Sequence, residues 1–154
     1  MLNEYQEIEK YIENCNMKSK KHHTNSLNSR KWKNSLEFFG GFIASTASLT
    51  MPLLSLSGSD SMTIAIVGNA FIFCGTTLNI LSKVFGFAVL EHIHGHLSNE
   101  FSDLESEFAN AQRRNSVGNY NNDDMEKLII RYQSICSRAN VQGVKECNFC
   151  CCYR

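Results

Sequence analysis

Hydrophobic and polar positions are sharply segregated along the chain. Between Glu37 and Lys83 the only charged residue is Asp60, which leaves a run of 22 uncharged residues on each side of it. As an α-helix each run measures about 33 Å, enough to cross a hydrocarbon core of about 30 Å. The pattern therefore predicts a membrane hairpin, with spans at about 38–57 and 62–83 that are joined by a polar turn.

Amphipathic patterns flank this apolar region. In residues 2–16, and again in 123–141, apolar side chains recur every three or four positions, which predicts a helix with one apolar face. Residues 84–114 contain no proline, so we expect the second span to continue as one long helix. The predicted fold class is all-α: a two-span integral membrane helical hairpin, extended by long juxtamembrane helices, with amphipathic N- and C-terminal helices.

The predicted organisation has four parts. Pro52, the only proline, should kink or end the first span, and Asp123 or Asp124 should cap the last helix. The apolar stripe of that helix must dock on the juxtamembrane helices, on a neighbouring subunit or on the membrane surface. The parts are a hairpin with flanking arms (1–117), a loop (118–122), a C-terminal amphipathic helix (123–141) and a cysteine-rich tail (142–154).

Charge sets the expected topology. Six lysines and arginines and no acid lie in the basic arm, residues 18–33, and further basic residues follow the second span, whereas the turn has none. By the positive-inside rule both termini face the cytoplasm, or a virion interior. In an antiparallel hairpin centred on Asp60, facing residue numbers add to about 120, so the basic arm lies opposite residues 87–102, within a segment (84–112) that has five acidic residues and no lysine or arginine. Either the arms pair, which sets register more than stability, or each is solvated independently.

Small residues recur at helix-packing intervals in both spans. Such rows let membrane helices approach closely, either within one hairpin or between subunits. The predicted packing residues are Gly40, Ala44, Ser48, Gly68 and Gly75.

Polar residues also recur within the second span. Asn69, Thr76 and Lys83 are seven residues apart, and Asn79 lies nearby. Polar side chains at membrane depth are costly unless they face protein or water. They either hydrogen-bond across helices or line an aqueous path, and the second alternative requires an oligomer because one hairpin cannot enclose a pore. A homo-oligomer in contact with membrane lipid is therefore expected.

The stretch EHIHGHL carries three histidines. On a helix His92 and His96 share a face and His94 points roughly opposite, while the antiparallel register brings His22 and His23 near His96. Three alternatives stay open: a metal site, a pH-responsive cluster of His22, His23 and His96, or ordinary polar residues on a juxtamembrane helix. We predict no metal site.

Seven cysteines, an odd number without framework spacing, argue against a secreted disulfide scaffold. Cys147 and Cys150 form one C-x-x-C, but a zinc site confined to this tail would be sterically crowded. Cytoplasmic cysteines near a membrane are candidates for S-acylation, here Cys150, Cys151 and Cys152. No catalytic or phosphate-binding motif is present, so we expect no enzyme activity, no cofactor and no nucleic-acid partner.

The basic arm KSKKHHTNSLNSRKWKNSLEFFGGFIASTASL and the later helix LEHIHGHLSNEFSDLESEFANAQRR enclose two spans and a short turn. This architecture resembles the SLATT family of two-span membrane proteins, especially uncharacterised members from large DNA viruses, over roughly residues 5–114. The resemblance implies a membrane effector that forms pores when an associated sensor is triggered. A viral member would instead be a structural element of the virion's inner membrane.

The sequence thus predicts a non-enzymatic, oligomerising two-pass membrane protein, with pore formation or membrane perturbation as its activity. The alternative is a structural membrane scaffold that anchors a virion or assembly partner through its cytoplasmic arms. A third class is a soluble helical bundle that buries both apolar runs internally.

Overall fold

A computed structural model describes residues 2–58, 60–116 and 122–141, and every regular element in these ranges is an α-helix. The all-α prediction is confirmed. The described residues divide into two compact units. We call residues 2–27, 92–116 and 122–141 the bundle and the remaining described residues, from 28 to 91, the hairpin. The helices are α1 (Leu2–Leu56), α2 (Ser61–Val84), α3 (Phe87–Ser116) and α4 (Asn122–Val141).

Helix α1 is a single element of 55 residues. The predicted N-terminal helix at 2–16 is therefore not separate but continues through the basic arm into the first apolar run. Pro52 does not end it: proline removes only one backbone donor, the helix continues to Leu56, and the Ser57 N–H still donates to Leu53 O (3.1 Å). The helix ends at Leu56, and Gly58 in the following turn has a φ of 77°, a value that glycine adopts without strain.

The long helix predicted to continue from the second span is interrupted at Gly86, which corrects that prediction. Gly86 has a φ of 61°, and its N–H donates to Lys83 O (3.0 Å), as in a Schellman turn. Its carbonyl oxygen accepts the Leu90 N–H (2.9 Å). One glycine therefore closes α2 and opens α3, so the absence of proline was not sufficient to keep the helix continuous.

Helix α4 begins at Asn122, one residue before the predicted start, and ends at Val141 as predicted. Asp123 and Asp124 lie in its first turn rather than at the cap position, where their charges interact favourably with the helix dipole. The predicted loop 118–122, apart from Asn122, and the predicted tail 142–154 lie outside the described residues.

The core of the bundle is built on α3. Leu97, Phe101, Leu104 and Phe108 alternate three and four residues apart and are almost completely buried, as in a coiled-coil seam. Residues of α1 and α4 complete the core, so the apolar stripe of α4 docks on α1 and α3 of the same chain, which is the first of the three alternatives above. The core members contributed by α1 and α4 are Ile8, Cys15, Met125 and Ile135.

The hairpin packs in a different way. A Cβ atom added to Gly75 would lie 2.8 Å from Gly40 O and 3.1 Å from Ala44 N, so the backbones of α1 and α2 touch at this point. Small residues without a bulky side chain permit this approach. The buried residues of the hairpin are Ser29, Gly40, Ala47, Gly68, Gly75 and Ser82.

Candidate functional site

The predicted packing residues of the first span follow a slightly different line from the one expected. Gly40 is buried and Ala44 half-buried, but Ser48 is exposed and its hydroxyl donates to Ser45 O (2.6 Å). Ala47 takes the buried position instead. A contact line on a helix alternates steps of four and three residues, so a row with two steps of four drifts away from the partner helix. Gly68 and Gly75 of the second span are buried, as expected of packing residues.

The outer surface of the hairpin is covered with large apolar side chains. Leu56 is 85% exposed and Phe73 71% exposed. Two described helices are long and apolar enough to cross a membrane, and only 11% of the most apolar window of each is buried. The apolar core helix of a soluble protein would be mostly buried. Further exposed members of this surface are Phe38, Phe39, Phe42, Leu49, Leu53, Met62, Ile66, Ile72, Ile80, Val84, Phe85 and Val89.

The predicted polar stripe of α2 separates into two groups. Asn79 belongs to the packed side, because its Oδ1 lies 2.8 Å from where a Cβ of Gly40 would be. Asn69, Thr76 and Lys83 are exposed. The Thr76 hydroxyl can donate to the carbonyl oxygens of its own helix, at 2.7 and 3.0 Å, which lowers its cost in an apolar setting.

The exposed group has a fixed relation to the packed seam. Asn69, Thr76 and Lys83 each follow by one residue the buried Gly68, Gly75 and Ser82. One residue corresponds to about 100° around a helix. The polar row therefore runs along the hairpin's own surface beside the α1–α2 contact. We call Asn69, Thr76 and Lys83 the polar row.

In the bundle the histidine pair differs from the predicted one. His22 Nδ1 lies 2.9 Å from His94 Nδ1, and the His22 ring stacks on Phe101 with centroids 5.7 Å apart. Burial lowers the pKa of His22 to about 4, with the charges of His94, Lys21 and Lys18 as smaller causes. Burial also lowers the pKa of His94. The pair is thus held neutral, with one ring N–H donating to the other ring.

The expected cluster of His22, His23 and His96 is not assembled. His96 is exposed, with its Nδ1 3.6 Å from Glu100 Oε2 on its own helix, and His23 is exposed as well. The facing residue numbers add to 116 for His22 and His94 rather than 120, a difference of about one helical turn. Sequence reasoning missed His94, although its spacing of seven from Phe101 places it on the α3 seam. No group of three or more His, Cys, Asp or Glu side chains among the described residues could hold a metal ion.

The acidic residues of α3 contact both the basic arm and α4. Arg30 Nε lies 3.8 Å from Glu91 Oε1 within the hairpin. Farther along α3, Glu107 accepts two hydrogen bonds from Arg131 of α4, at 2.6 and 2.8 Å. Glu100 likewise accepts one from Arg138 of α4 at 2.8 Å. Part of the acidic surface therefore binds α4, which the arm-pairing prediction had not considered.

A further polar cluster lies where α1, α3 and α4 meet. Lys18 Nζ donates to Cys136 Sγ at 2.9 Å and stands 5.0 Å from the ring centroid of Tyr132 and 5.5 Å from that of Phe101. Burial lowers the pKa of Lys18, but hydrogen bonds to Cys136 and Tyr132 outweigh it and the pKa is raised. Cys15, completely buried nearby, has its pKa raised to about 11, chiefly by burial and then by Cys136.

Nothing in the sequence linked Lys18 to Cys136, because their contact depends on how α4 docks. The candidate acylation residues Cys150, Cys151 and Cys152 lie outside the described residues. No protein-family model, curated protein or solved structure matches the chain. Membership of a SLATT-like family therefore stays a prediction.

Proposed function

We propose that this chain is a two-pass membrane protein that associates with copies of itself through the polar row. The observation that carries the proposal is the inverted packing of the hairpin: glycine, alanine and serine are buried at the α1–α2 contact, while phenylalanine and leucine side chains face outward.

Free energy favours lipid as the surroundings of this surface. Each large apolar side chain left in water forfeits about 1.5–3 kcal/mol of burial free energy, and exposed apolar patches of this extent are rare on soluble monomers. In lipid the same side chains are solvated, and helices associate through small residues instead. A soluble bundle that buries both apolar runs would need the opposite arrangement.

The distribution of basic residues supports a cytoplasmic position for both termini. The basic arm precedes the first span, and Lys83, Arg113 and Arg114 follow the second, whereas the turn around Asp60 has no lysine or arginine. Basic residues near span ends stay on the cytoplasmic side.

The polar row supports self-association. Asn69, Thr76 and Lys83 would face lipid in a single hairpin, where polar groups are costly. Lys83 can extend its amine to the interface and the Thr76 hydroxyl can donate within its own helix, but the Asn69 amide lies deeper in the span. A second copy that presents the same row would supply hydrogen-bond partners. A ring of copies would turn the row toward a central aqueous path, which makes a non-enzymatic pore or membrane-perturbing protein the leading function.

Photo-crosslinking in membranes tests the self-association. Benzoylphenylalanine at Thr76 should give a covalent dimer of the chain, whereas the same probe at Ala70, an exposed position of the same helix about 100–120° around from the polar row, should contact mainly lipid. Equal dimer yields from both sites would contradict the proposal. Alkaline carbonate extraction supplies the control for insertion, and release of the protein into the supernatant would contradict the two-pass arrangement.

Liposome flux separates the pore from the scaffold alternative. Purified protein should release an entrapped dye, and Thr76→Val combined with Asn69→Leu should abolish release while the protein remains inserted. Flux no higher than background at every protein-to-lipid ratio would exclude the pore. A scaffold would then be favoured if crosslinks from the bundle go predominantly to a different protein.

A further inference from the structure

The Lys18 cluster brings a nucleophilic sulfur and a positive charge together in the bundle. Cys136 of α4 is half-buried and receives the hydrogen bond from Lys18 Nζ at 2.9 Å. The Tyr132 ring and the Phe101 ring border the ammonium. Cys15 lies deeper and has no exposed surface. Neither the predicted membrane activity nor the helix packing requires this arrangement.

We propose that Cys136 is a site of reversible oxidation by a hydroperoxide, with Lys18 as the residue that activates its thiolate and holds the resulting sulfenate. A lysine ammonium beside a cysteine is one of the surroundings that favour the reactive thiolate form. Susceptibility to oxidation follows thiolate character and access to solvent; Cys136 has the Lys18 ammonium 2.9 Å from its sulfur and a partly exposed side chain. The proposal concerns the bundle and does not rest on membrane insertion.

The chemical step needs only hydrogen peroxide or another hydroperoxide as oxidant. The Cys136 thiolate attacks one peroxide oxygen, an S–O bond forms and the O–O bond breaks, so that sulfur loses two electrons and the peroxide gains them. The departing hydroxide takes a proton from the Lys18 ammonium and leaves as water. Lys18 recovers a proton from the new sulfenic acid, and an ammonium–sulfenate pair replaces the ammonium–thiolate pair.

The surroundings explain why the product should persist. A sulfenic acid usually condenses with a neighbouring thiol to give a disulfide, and Cys15 is the neighbouring thiol. Its burial raises its pKa to about 11, so Cys15 rarely ionises at neutral pH and attacks slowly. Oxidation is therefore expected to add one oxygen atom at Cys136 rather than to crosslink α1 to α4.

Peptide mass spectrometry of the full-length protein can test the site directly. Trypsin releases Tyr132–Arg138, in which Cys136 is the single cysteine, and Tyr11–Lys18, in which Cys15 is the single cysteine. After brief hydrogen peroxide treatment in the presence of dimedone, the sulfenate label should accumulate on the first peptide and hardly at all on the second. Equal labelling of both peptides, or a Cys15–Cys136 disulfide as the main product, would overturn the proposal.

The role of Lys18 needs matched variants. Lys18→Met should slow labelling of Cys136 about tenfold, the change expected from loss of one charge-assisted hydrogen bond, and Lys18→Arg should restore most of it. Lys20→Met, at an exposed lysine two residues away, is the control and should leave the rate unchanged. An unchanged rate in folded Lys18→Met would overturn the proposal. If that variant does not fold, the labelling is repeated on the wild-type chain unfolded in urea. The faster labelling of Cys136 relative to Cys15 should vanish there, and its persistence would also overturn the proposal.

Discussion

The bundle and the hairpin place their buried residues at the same seven-residue spacing, but these residues are large and apolar in the bundle and small in the hairpin. In α3 of the bundle the buried positions Leu97, Leu104, Phe101 and Phe108 form two such pairs. In α2 of the hairpin the corresponding positions are glycine and serine. The large apolar residues of the hairpin face outward instead, as the exposure of Phe73 shows. The hairpin series are Gly40 and Ala47 in α1 and Gly68, Gly75 and Ser82 in α2.

This difference indicates that two driving forces hold one chain together. Burial of phenylalanine and leucine stabilises helices when the alternative is contact with water. When the surroundings are apolar that gain disappears, and close backbone approach through small residues takes its place. Side-chain size along the two seams therefore fits water around the bundle and, as proposed above, lipid around the hairpin.

The largest expected effect is the loss of a bundle phenylalanine. Phe108→Ala should lower the free energy of unfolding by about 3–5 kcal/mol, because Phe108 is completely buried and stacks on Tyr11 with centroids 5.3 Å apart. Phe73→Ala, the same change on the hairpin surface, should cost less than about 0.5 kcal/mol in detergent. Denaturant unfolding of the full-length protein, followed by circular dichroism, measures both. Similar losses for the two variants would mean that Phe73 is buried against protein, and the contrast between the regions would fail.

The sequence was sufficient to predict the helical class, the end of the first apolar helix and both ends of the second, each to within about one residue, but not that the first helix begins at Leu2. Uncharged runs bounded by Glu37, Asp60 and Lys83 are a strong signal, because charge and apolar surroundings exclude each other. The antiparallel register was also close: facing residue numbers add to 119 for Gly40 with Asn79 and to 117 for Ser19 with Ser98.

Finer features depend on contacts that no local pattern specifies. A register error of one turn was enough to pair His22 with the wrong histidine. The contact between Lys18 and Cys136 requires α4 to dock in one orientation, which its apolar stripe alone does not specify. The break at Gly86 was missed because a lone glycine within a helical pattern is usually tolerated.

A second prediction tests the close approach in the hairpin. Gly75→Ala would push a methyl group against the backbone at Gly40 and Ala44, so we expect a loss of about 1–3 kcal/mol. Gly41→Ala is the control, because no atom lies within 4 Å of a Cβ there, and the higher helix propensity of alanine should even stabilise it slightly. Unfolding in mixed micelles of increasing denaturing-detergent content measures the difference. Equal behaviour of the two variants would show that the helices do not touch at Gly75.

A third prediction concerns pH, to which the bundle should respond because all five histidines lie in it. His22 faces His94 and Phe101 of α3, with Lys18 and Lys21 on its own helix, and its pKa of about 4 lies below the unfolded value of 6.5. Between these values the unfolded chain binds a proton that the folded chain does not. Stability is therefore complete above pH 6.5 and falls as the pH drops toward 4.

The melting temperature of the bundle should accordingly fall by roughly 5 °C between pH 7 and pH 4.5. His22→Gln should flatten this dependence, whereas His23→Gln, at the exposed neighbouring histidine, should leave it unchanged. Thermal unfolding at several pH values provides the measurement. A wild-type profile that stays flat down to pH 4 would contradict the burial of the His22–His94 pair.

The smallest effect is expected from the ion pair between α3 and α4. Glu107 and Arg131 make two short hydrogen bonds, yet their side chains are 43% and 46% exposed, so Arg131→Gln should cost less than about 1 kcal/mol. Ile135→Ala on the same helix should cost about 2–5 kcal/mol, because Ile135 is buried in the core. Denaturant unfolding at low salt and at 1 M salt, where the Debye length is about 3 Å, separates the two: only the Arg131 effect should disappear. If Arg131→Gln proved the more costly change, docking of α4 would depend on charge rather than on apolar burial, and the bundle would not follow the packing rule that distinguishes it from the hairpin.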